Sequence, residues 1–329
     1  MGFFVRGALA LGLLGFGAAA SAQTAEPFNF TLPWLPVGDY AYYSAGVQKG
    51  FYKDEGIDFK INRGFGSIDV VTKLAAGTFT AGEADLSAII SGQVKQGTPV
   101  RCIAANQTMN AHALLVLDKN GIDTMKDLEG RTVATQPGNA MLLMFPIIAR
   151  ANKMDAAKVN VTHVEAAAMA GLLIQGKVDA AAFFATNTDF INRQAQVVGK
   201  SVKALRYADY GASFYGQCLA ATDQMIAEKP DLLKRFVRAT FKARVFAKEN
   251  PEETVKLHIK MFPEVKAEDA LMSLKAALPY MFNEITERDG LGKFNDQRLE
   301  QTYKIIAESQ SLDMGYDWKK LVNTSVMPN

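Results

Sequence analysis

Aromatic and acidic side chains with binding potential are concentrated in one short stretch near the start of the chain. This stretch contains Trp34, Asp39, Tyr40, Tyr42 and Tyr43. Flat aromatic faces suit stacking on a planar ring, and a carboxylate can accept hydrogen bonds from an amino group. Ordinary alternatives exist for both types, because aromatic side chains also fill cores and an aspartate also caps helices. The stretch is therefore a candidate ligand-binding loop.

Strand and helix signals on either side of this loop indicate how it is held. Residues 28–32 alternate between apolar and polar side chains and end at two prolines, which is typical of a strand. A helix is predicted to begin near Asp39, as N-cap, with an apolar face that continues to residue 51. Residues 57–61 alternate again. A strand, a helix and a strand predict a parallel sheet, whose loops beyond the strand ends commonly bind ligands.

Four motifs resemble those of a known family. They are K-G-F-Y-K-D-E-G-I-D at 49–58, K-D-L-E-G-R-T-V-A at 126–134, L-L-I-Q-G-K-V-D-A-A at 172–181 and N-P-E-E at 250–253. Together with the tryptophan and tyrosines before them, they resemble the periplasmic solute-binding proteins of ABC importers, in the branch that binds taurine, alkanesulfonates, nitrate, riboflavin and thiamine pyrimidine precursors. This resemblance implies an α/β, two-lobed, type II periplasmic binding fold, with a mostly parallel sheet flanked by helices in each lobe and a cleft between the lobes.

The N-terminus has the pattern of a cleaved secretory signal peptide. Arg6 precedes a short apolar run, and Ala20-Ser21-Ala22 is an A-x-A site, so cleavage is predicted after Ala22. An uncleaved N-terminal anchor is the alternative. A periplasmic location follows from the cleaved form. The predicted division is a leader at 1–22, lobe 1 at 23–110 plus 220–329, and lobe 2 at 111–219.

Composition and charge exclude some classes of partner. The 329 residues carry 36 Lys and Arg against 34 Asp and Glu, a net charge of +2, and loss of Arg6 with the leader leaves 35 − 34 = +1. A near-neutral chain argues against nucleic acid as a partner. The three histidines lie far apart, so no metal or cofactor is expected. Cys102 and Cys218 are interpreted as buried free thiols, with a disulfide left open.

Further candidate residues lie where predicted strands end. A helix is predicted over residues 166–175, with Gly176 as its C-cap, followed by a buried strand over residues 180–184 whose end would face the cleft. Two glycine loops each precede a helix, and Ser67 is the predicted N-cap of the first. If the two helix N-termini faced each other, their free N–H groups would form a polar clamp. A strand predicted over residues 83–90 would place its end in the cleft, by analogy with the family. The ligand-binding residues expected from these loops and from the first stretch are Trp34, Asp39, Tyr40, Tyr43, Gly66, Ser67, Ile90, Ser91, Gly138, Asn139, Thr186, Asn187 and Tyr215.

The favoured function is that of a receptor with no catalytic residues. The lobes would close over a small molecule, and ABC permease subunits in the inner membrane would recognise the closed form. The receptor is expected to be a monomer. An enzyme like the thiamine-pyrimidine synthases is the alternative, but the chain lacks their C-C-C-F-C segment and has no G-x-S-x-G motif. Surface or structural roles are favoured for the paired carboxylates Glu83 and Asp85. A third hypothesis is that the protein presents its bound ligand to a sensor or to a tripartite transporter.

The aromatic loop favours an aromatic or heterocyclic solute, with thiamine pyrimidine precursors as the leading example. A ring stacked on one of these side chains gains roughly 0.5–1.5 kcal/mol per contact beyond area burial. The alternative is a sulfonate or another small organic anion, held at Ser67 and Asn139 by the helix N-termini.

Overall fold

The computed structural model describes residues 1–2 and 25–328. Nearly all of the predicted leader, including the cleavage site after Ala22, lies outside the described residues. Within the described part of the chain, no helix combines the length and the apolar character needed to cross a bilayer.

The described residues form ten strands and thirteen α-helices, joined by loops and short 3₁₀ turns. The strands are β1 (Glu26–Thr31), β2 (Ile57–Asn62), β3 (Ala81–Asp85), β4 (Val100–Ala105), β5 (His112–Leu117), β6 (Thr132–Thr135), β7 (Asn160–His163), β8 (Ala180–Phe184), β9 (Val202–Arg206) and β10 (Gln217–Thr222). The helices are α1 (Ala41–Gln48), α2 (Phe51–Asp54), α3 (Ser67–Ala75), α4 (Leu86–Gln96), α5 (Phe145–Ala151), α6 (Ala166–Gln175), α7 (Thr188–Gln196), α8 (Asp223–Glu228), α9 (Pro230–Glu249), α10 (Pro251–Met261), α11 (Ala267–Met281), α12 (Glu284–Asp289) and α13 (Asp296–Gln310).

The first sheet has the order β2-β1-β3-β10-β4 and is the centre of lobe 1. β1 pairs in parallel with β2, with Phe28 opposite Phe59, so the predicted strand–helix–strand unit is confirmed. Apolar positions of both strands pack with Tyr52 and Phe236 in an aromatic core, in which the rings of Tyr52 and Phe59 stack at 3.9 Å. This rigid core fixes the start of the loop that follows β1.

The second sheet has the order β7-β6-β8-β5-β9 and is the centre of lobe 2. In each sheet one strand, β10 or β5, runs antiparallel to both of its neighbours, and the other strands are parallel to one another. Residues 106–111 and 207–216 connect the two sheets, so the chain enters lobe 2 once and returns once. The predicted two-lobed α/β fold is confirmed. The exact residue boundaries of the lobes stay a prediction.

The strand predicted over residues 83–90 is wrong beyond Asp85. β3 ends there, and the apolar run that follows forms α4, which is closed by Gly97 in a left-handed conformation. A short apolar run is compatible with a buried helix as well as with a strand, and packing decides between them. Ile90 and Ser91 therefore lie inside a helix and not at a strand end, and Ile90 is fully buried.

Two of the predicted helix caps are also wrong. Asp39 lies in a 3₁₀ turn before α1, whose N-cap is Tyr40, and Ser67 is the first residue of α3, whose N-cap is Gly66. Both side chains bond to distant parts of the fold instead, as described below. By contrast, Asn139 caps the turn that begins at Ala140, since its side chain accepts a hydrogen bond from the Met141 N–H at 2.9 Å.

Cys102 and Cys218 form a disulfide, so the interpretation as free thiols is wrong. The two cysteines lie on β4 and β10, which are neighbours in the first sheet, and their Cα atoms are 5.7 Å apart. This adjacency depends on the return crossing from lobe 2, which brings together residues 116 positions apart in sequence. Local sequence carries no signal for such a pairing.

Candidate functional site

The facing surfaces of the two lobes enclose a narrow inner cleft. Its lining from lobe 1 is Pro33, Trp34, Gly66, Ser67 and Asp85, and its lining from lobe 2 is Asn139, Ala140, Met141, Ala182, Phe183, Phe184 and Asn187. The loop after β1 and the N-terminus of α3 face the loop after β6 and the end of β8. The indole of Trp34 meets the ring of Phe183 edge-on, with 6.4 Å between centroids. The cavity volume is about 10 Å³, which is close to the space of one water molecule.

The two glycine loops touch at the centre of this cleft. The N–H of Ile68, in the first turn of α3, donates to the carbonyl of Gly138 at 3.2 Å. A Cβ atom on Gly66 would lie 2.2 Å from the same carbonyl oxygen. Glycine is required at both positions, because Gly66 has φ +106° and Gly138 has φ +78°. The two glycine loops meet through a direct backbone contact between the lobes. The predicted helix after the second loop is wrong at its start, because Ala140–Met144 form a 3₁₀ turn and α5 begins only at Phe145.

A second polar group links the lobes through Asp85, at the end of β3. The Ser67 hydroxyl donates to Asp85 Oδ2 at 2.8 Å, and Nε2 of His112, on β5, lies 2.8 Å from Oδ1. The carboxylate thus stands between the hydroxyl and the imidazole. A serine nucleophile needs the imidazole as its direct partner, so this order does not form a Ser-His-Asp triad. The group holds the start of α3 against the first strand of lobe 2.

Asp39 forms a third contact between the lobes. Its carboxylate accepts hydrogen bonds from the hydroxyls of Thr186 and Ser273 and from the amide of Asn187, at 3.4–3.5 Å for the amide. Thr186 and Asn187 follow β8 in lobe 2, whereas Ser273 lies on α11 of lobe 1. Burial raises the pKa of Asp39 to about 6, although the three donors oppose the shift. We call these four side chains the Asp39 cluster.

The Asp39 cluster predicts that closure responds to pH. If opening exposes Asp39, its pKa returns towards the ordinary 3.8, so the closed form binds the proton more tightly. The contribution of this group to closure is fully present below pH 3.8 and is lost as the pH rises through 6. Solute affinity should then be about tenfold higher at pH 5 than at pH 7. Titration calorimetry at both pH values checks this, and an Asp39→Asn variant with the same pH dependence would contradict it.

A fourth polar group lies under the cleft, inside lobe 1. Glu83 is fully buried and accepts hydrogen bonds from the hydroxyls of Tyr42 and Tyr43, at 3.0 and 2.7 Å, and from the amide of Asn106 at 2.6 Å. Burial raises the pKa of Glu83 to about 7, and the three donors lower it only in part. The predicted structural role of Glu83 fits these contacts. Tyr42 and Tyr43 are held by them in the core, away from the lining of the cleft.

Glu83→Gln should change how stability depends on pH. Because the pKa of Glu83 is raised from 4.5 to about 7, its stabilising contribution is present below pH 4.5 and is lost as the pH rises through 7. Wild type should therefore lose about 3 kcal/mol relative to the variant between pH 4 and pH 8. A rotated Asn106 can accept from the glutamine amide, since its Oδ1 has no partner among the described residues. Urea unfolding at both pH values tests this, and a constant difference would contradict it.

The sequence-predicted residues thus fall into three groups. Trp34, Gly66, Ser67, Asn139 and Asn187 line the inner cleft; Gly138, Asp39 and Thr186 lie at contacts between the lobes, as described above. The third group, Tyr40, Tyr43 and Tyr215, does not line the inner cleft. The Tyr40 hydroxyl accepts from Gln217 at 3.3 Å, Tyr43 bonds Glu83, and the Tyr215 hydroxyl accepts from the Asn295 N–H at 2.9 Å.

Sequence reasoning missed several residues at the contact between the lobes. Asp85 and His112 form one contact, and Met141 and Phe183 line the inner cleft. Phe183 could have been predicted, because the strand predicted over residues 180–184 ends beside it and strand ends were expected to face the cleft. Asp85 would have been found only if β3 had been predicted to end at that residue.

A larger space lies between the lobes on the other side of the Asp39 cluster, and we call it the outer groove. Its volume is about 580 Å³. It is lined by Leu35, Pro36, Val37, Gly38, Arg63, Ala167, Phe190, Gln194, Phe262, Glu264, Val265, Lys266, Asp269, Ala270 and Ser273. Ala167, Phe190 and Gln194 belong to lobe 2 and the others to lobe 1. Pockets that bind small molecules commonly have ~300–1,000 Å³, so the groove is large enough for an organic solute.

Among the described residues, no group of His, Cys, Asp and Glu side chains has the arrangement of a metal site. The polar side chains at the contacts between the lobes are engaged with one another, as hydrogen-bond donors and acceptors. What the site offers is an interface between two lobes, with a groove beside it. Spaces between two lobes are common sites for small molecules.

Comparison with known proteins agrees with this geometry. The chain resembles the alkanesulfonate-binding protein SsuA of Xanthomonas axonopodis pv. citri, with a TM-score of 0.67 and 13% identity over 89% of this chain and 96% of that one. The fold is therefore that of the periplasmic binding proteins. The model of the NMT1/THI5-like family matches residues 39–254, and the chain belongs to that family.

Two named relatives cover much of the chain. The riboflavin-binding protein RibY of Chloroflexus aurantiacus is 25% identical over 94% of this chain and 90% of its own length. The formylaminopyrimidine-binding protein of Halalkalibacterium halodurans is 22% identical over 72% of this chain and 71% of its own length. Both are named as binding proteins. The chain is a solute-binding protein and not an enzyme.

Proposed function

We propose that this protein is the extracytoplasmic receptor that delivers a small aromatic or heterocyclic solute to an ABC importer. The observation that carries the proposal is the contact between the lobes, in which backbone and side chains of both lobes meet at Gly66–Gly138 and at the Asp39 cluster. Such contacts form only when the lobes close. Closure over a ligand gives a permease a surface that it can distinguish from the open form.

Two observations support an aromatic or heterocyclic solute. The named relatives bind riboflavin and formylaminopyrimidine, both of which are planar ring compounds. In this chain aromatic side chains of both lobes also border the space between the lobes, with Trp34 and Phe262 in lobe 1 and Phe183 and Phe190 in lobe 2. A thiamine pyrimidine precursor remains the leading example.

A sulfonate or another small anion is the second candidate, and the contacts at the helix ends weigh against it. The N–H of Ile68, at the start of α3, already donates to Gly138, and the Ser67 hydroxyl already donates to Asp85. An anion at this place would have to displace those bonds and would lie close to the carboxylate of Asp85. The SsuA likeness concerns the fold alone.

A thermal-shift panel tests the solute class. It should contain riboflavin, formylaminopyrimidine, an alkanesulfonate and nitrate, each at a high and a low concentration. A solute at about 100 times its dissociation constant stabilises the folded form by roughly 2.7 kcal/mol, which is an easily measured shift. We expect a ring compound to produce the shift. A shift with the alkanesulfonate alone would overturn the proposed solute class and leave the receptor function standing.

A further inference from the structure

We propose that Gln136 recognises a solute edge on which a hydrogen-bond donor and an acceptor lie side by side, as in lactams and aminopyrimidines. This inference rests on the proposed function and adds the chemistry of recognition. Gln136 is 2% exposed, yet neither Oε1 nor Nε2 of its side chain has a hydrogen-bond partner among the described residues. The amide can therefore make two hydrogen bonds with a solute between the lobes, one as acceptor and one as donor.

Gln136 belongs to a loop of the inner cleft. It directly follows β6, which is parallel to β8, and the loop continues through Gly138 to Asn139. Asn139 lines the cleft, and its N–H donates to the carbonyl of Gln136 at 3.2 Å. Loops beyond the carboxyl ends of parallel strands commonly bind ligands. The turn from Gln136 to Asn139 thus joins this amide directly to the lining of the cleft.

The unpaired amide differs from other buried polar groups around the cleft. The Ser67 hydroxyl donates to Asp85, and the Asp39 carboxylate accepts hydrogen bonds from three side chains. Burying an amide without partners costs free energy of folding. Binding sites commonly retain such a cost, because the group is paired when the ligand is bound. A contact with the solute therefore explains the amide, whereas a structural role does not.

Two further buried groups next to the cleft lack a partner in the described part of the chain. One is the hydroxyl of Ser87, in the first turn of α4 and two residues after Asp85, and the other is Nδ1 of His112. His112 stacks on Phe184, which lines the cleft, with 5.8 Å between ring centroids. In a neutral imidazole that donates to Asp85 through Nε2, Nδ1 is an acceptor. The unpaired groups around the cleft thus include both acceptors and donors.

This balance of donors and acceptors favours one class of solute. The oxygens of a sulfonate or of nitrate accept hydrogen bonds and donate none, so they would leave Oε1 of Gln136 unpaired. A lactam or an aminopyrimidine carries an N–H group next to an acceptor, which matches the two atoms of the amide. Glutamine binds adenine in DNA through the same kind of two-point contact. The cleft is therefore suited to an uncharged heterocycle with such an edge.

Gln136→Met tests the inference through two measurements on the full receptor. The substitution keeps a side chain of similar length and removes both polar atoms. It should lower the affinity for riboflavin or formylaminopyrimidine, whichever binds to wild type, at least tenfold by calorimetry. It should leave the urea midpoint of the solute-free protein unchanged or raise it, because no intramolecular hydrogen bond is lost.

Gln93→Met is the matched control. Gln93 is a buried glutamine on α4 whose amide is paired at both ends. Its Nε2 donates to the carbonyl of Val100 at 2.6 Å, and its Oε1 accepts from Arg101 and Tyr316, both at 2.9 Å. This variant should lower the urea midpoint and bind the probe within about twofold of wild type. The pair of variants thus separates lost recognition from lost stability.

A change to the probe tests the two-point contact itself. Full methylation of the nitrogen on the lactam or aminopyrimidine edge removes its N–H groups. It should lower wild-type affinity at least tenfold and change the affinity of Gln136→Met by no more than about threefold, because that variant has already lost the contact.

The possible results distinguish this inference from the proposed function. Unchanged affinity of Gln136→Met, or a loss of affinity that comes with a lower urea midpoint, would overturn the inference. A methylated probe that binds to wild type as well as the parent compound would overturn it too. If wild type bound neither riboflavin nor formylaminopyrimidine, the proposed solute class itself would be overturned.

Discussion

Replacing Gly66 by alanine should lower the affinity for the solute about a hundredfold while leaving both lobes folded. The new Cβ atom would lie 2.2 Å from the carbonyl oxygen of Gly138, in the other lobe, so the lobes could not reach the closed form without moving apart. Residue 66 also has φ +106° and ψ 156°, and the strain of a side chain in this conformation, about 1–3 kcal/mol, would lower stability in the open and closed forms alike. The loss of affinity therefore comes from the contact with Gly138. A penalty of roughly 3 kcal/mol on the closed form corresponds to about a hundredfold in affinity.

Gly77→Ala is the matched control for this variant. Gly77 follows α3 with φ +72°, and a Cβ atom there would meet no other atom within 4 Å. It therefore carries the smaller penalty of an ordinary left-handed φ and lacks the contact between lobes. Calorimetry with a ring compound from the panel measures affinity, and small-angle scattering measures closure. Equal affinities of the two variants would show that the Gly66–Gly138 contact plays no part in binding.

Removal of the disulfide should have the largest effect on stability. The free energy of unfolding of a Cys102→Ala, Cys218→Ala double variant should be about 2–5 kcal/mol lower than that of wild type. The bond closes a loop of 116 residues that contains the whole of lobe 2, and a loop of about 100 residues corresponds to roughly 4.7 kcal/mol of unfolded-state entropy. Urea unfolding under oxidising conditions measures the difference.

Reducing agent provides the control for the disulfide. Both sulfurs are buried, so reduction should require unfolding, and unfolding curves with dithiothreitol should be compared after equilibration. Wild type should then fall to the stability of the double variant, while the variant itself should not respond. An unchanged wild-type midpoint would contradict a stabilising disulfide in solution.

Local sequence predicted the elements that local signals control. The predicted helix at 166–175 and the predicted strand at 180–184 agree with α6 and β8 residue for residue. Gly176 ends α6 in a left-handed conformation, as its position after an apolar helix predicts. In these segments periodicity and end signals agree, so tertiary contacts did not have to decide between alternatives.

Features that depend on tertiary contacts were not predicted from the sequence. The run after Asp85 is apolar in either form, and its packing made it a helix. Asp39 and Ser67 have the side chains of helix caps, yet their partners in the fold are Thr186 and Asp85. Asp39 and Thr186 are 147 positions apart, and no local pattern indicates that such residues meet. For the same reason the outer groove, which combines residues of several distant segments, was not foreseen.

The most direct test is native mass spectrometry of the protein exported to the periplasm of a bacterial host and purified gently. We expect one small molecule bound to each chain, with the mass of an unmodified ring compound that is released intact when the protein unfolds. Conversion of the bound compound into a product during incubation would contradict a receptor and favour an enzyme. A chain that carries no small molecule and gives no thermal shift with any compound of the panel would equally contradict the proposed function.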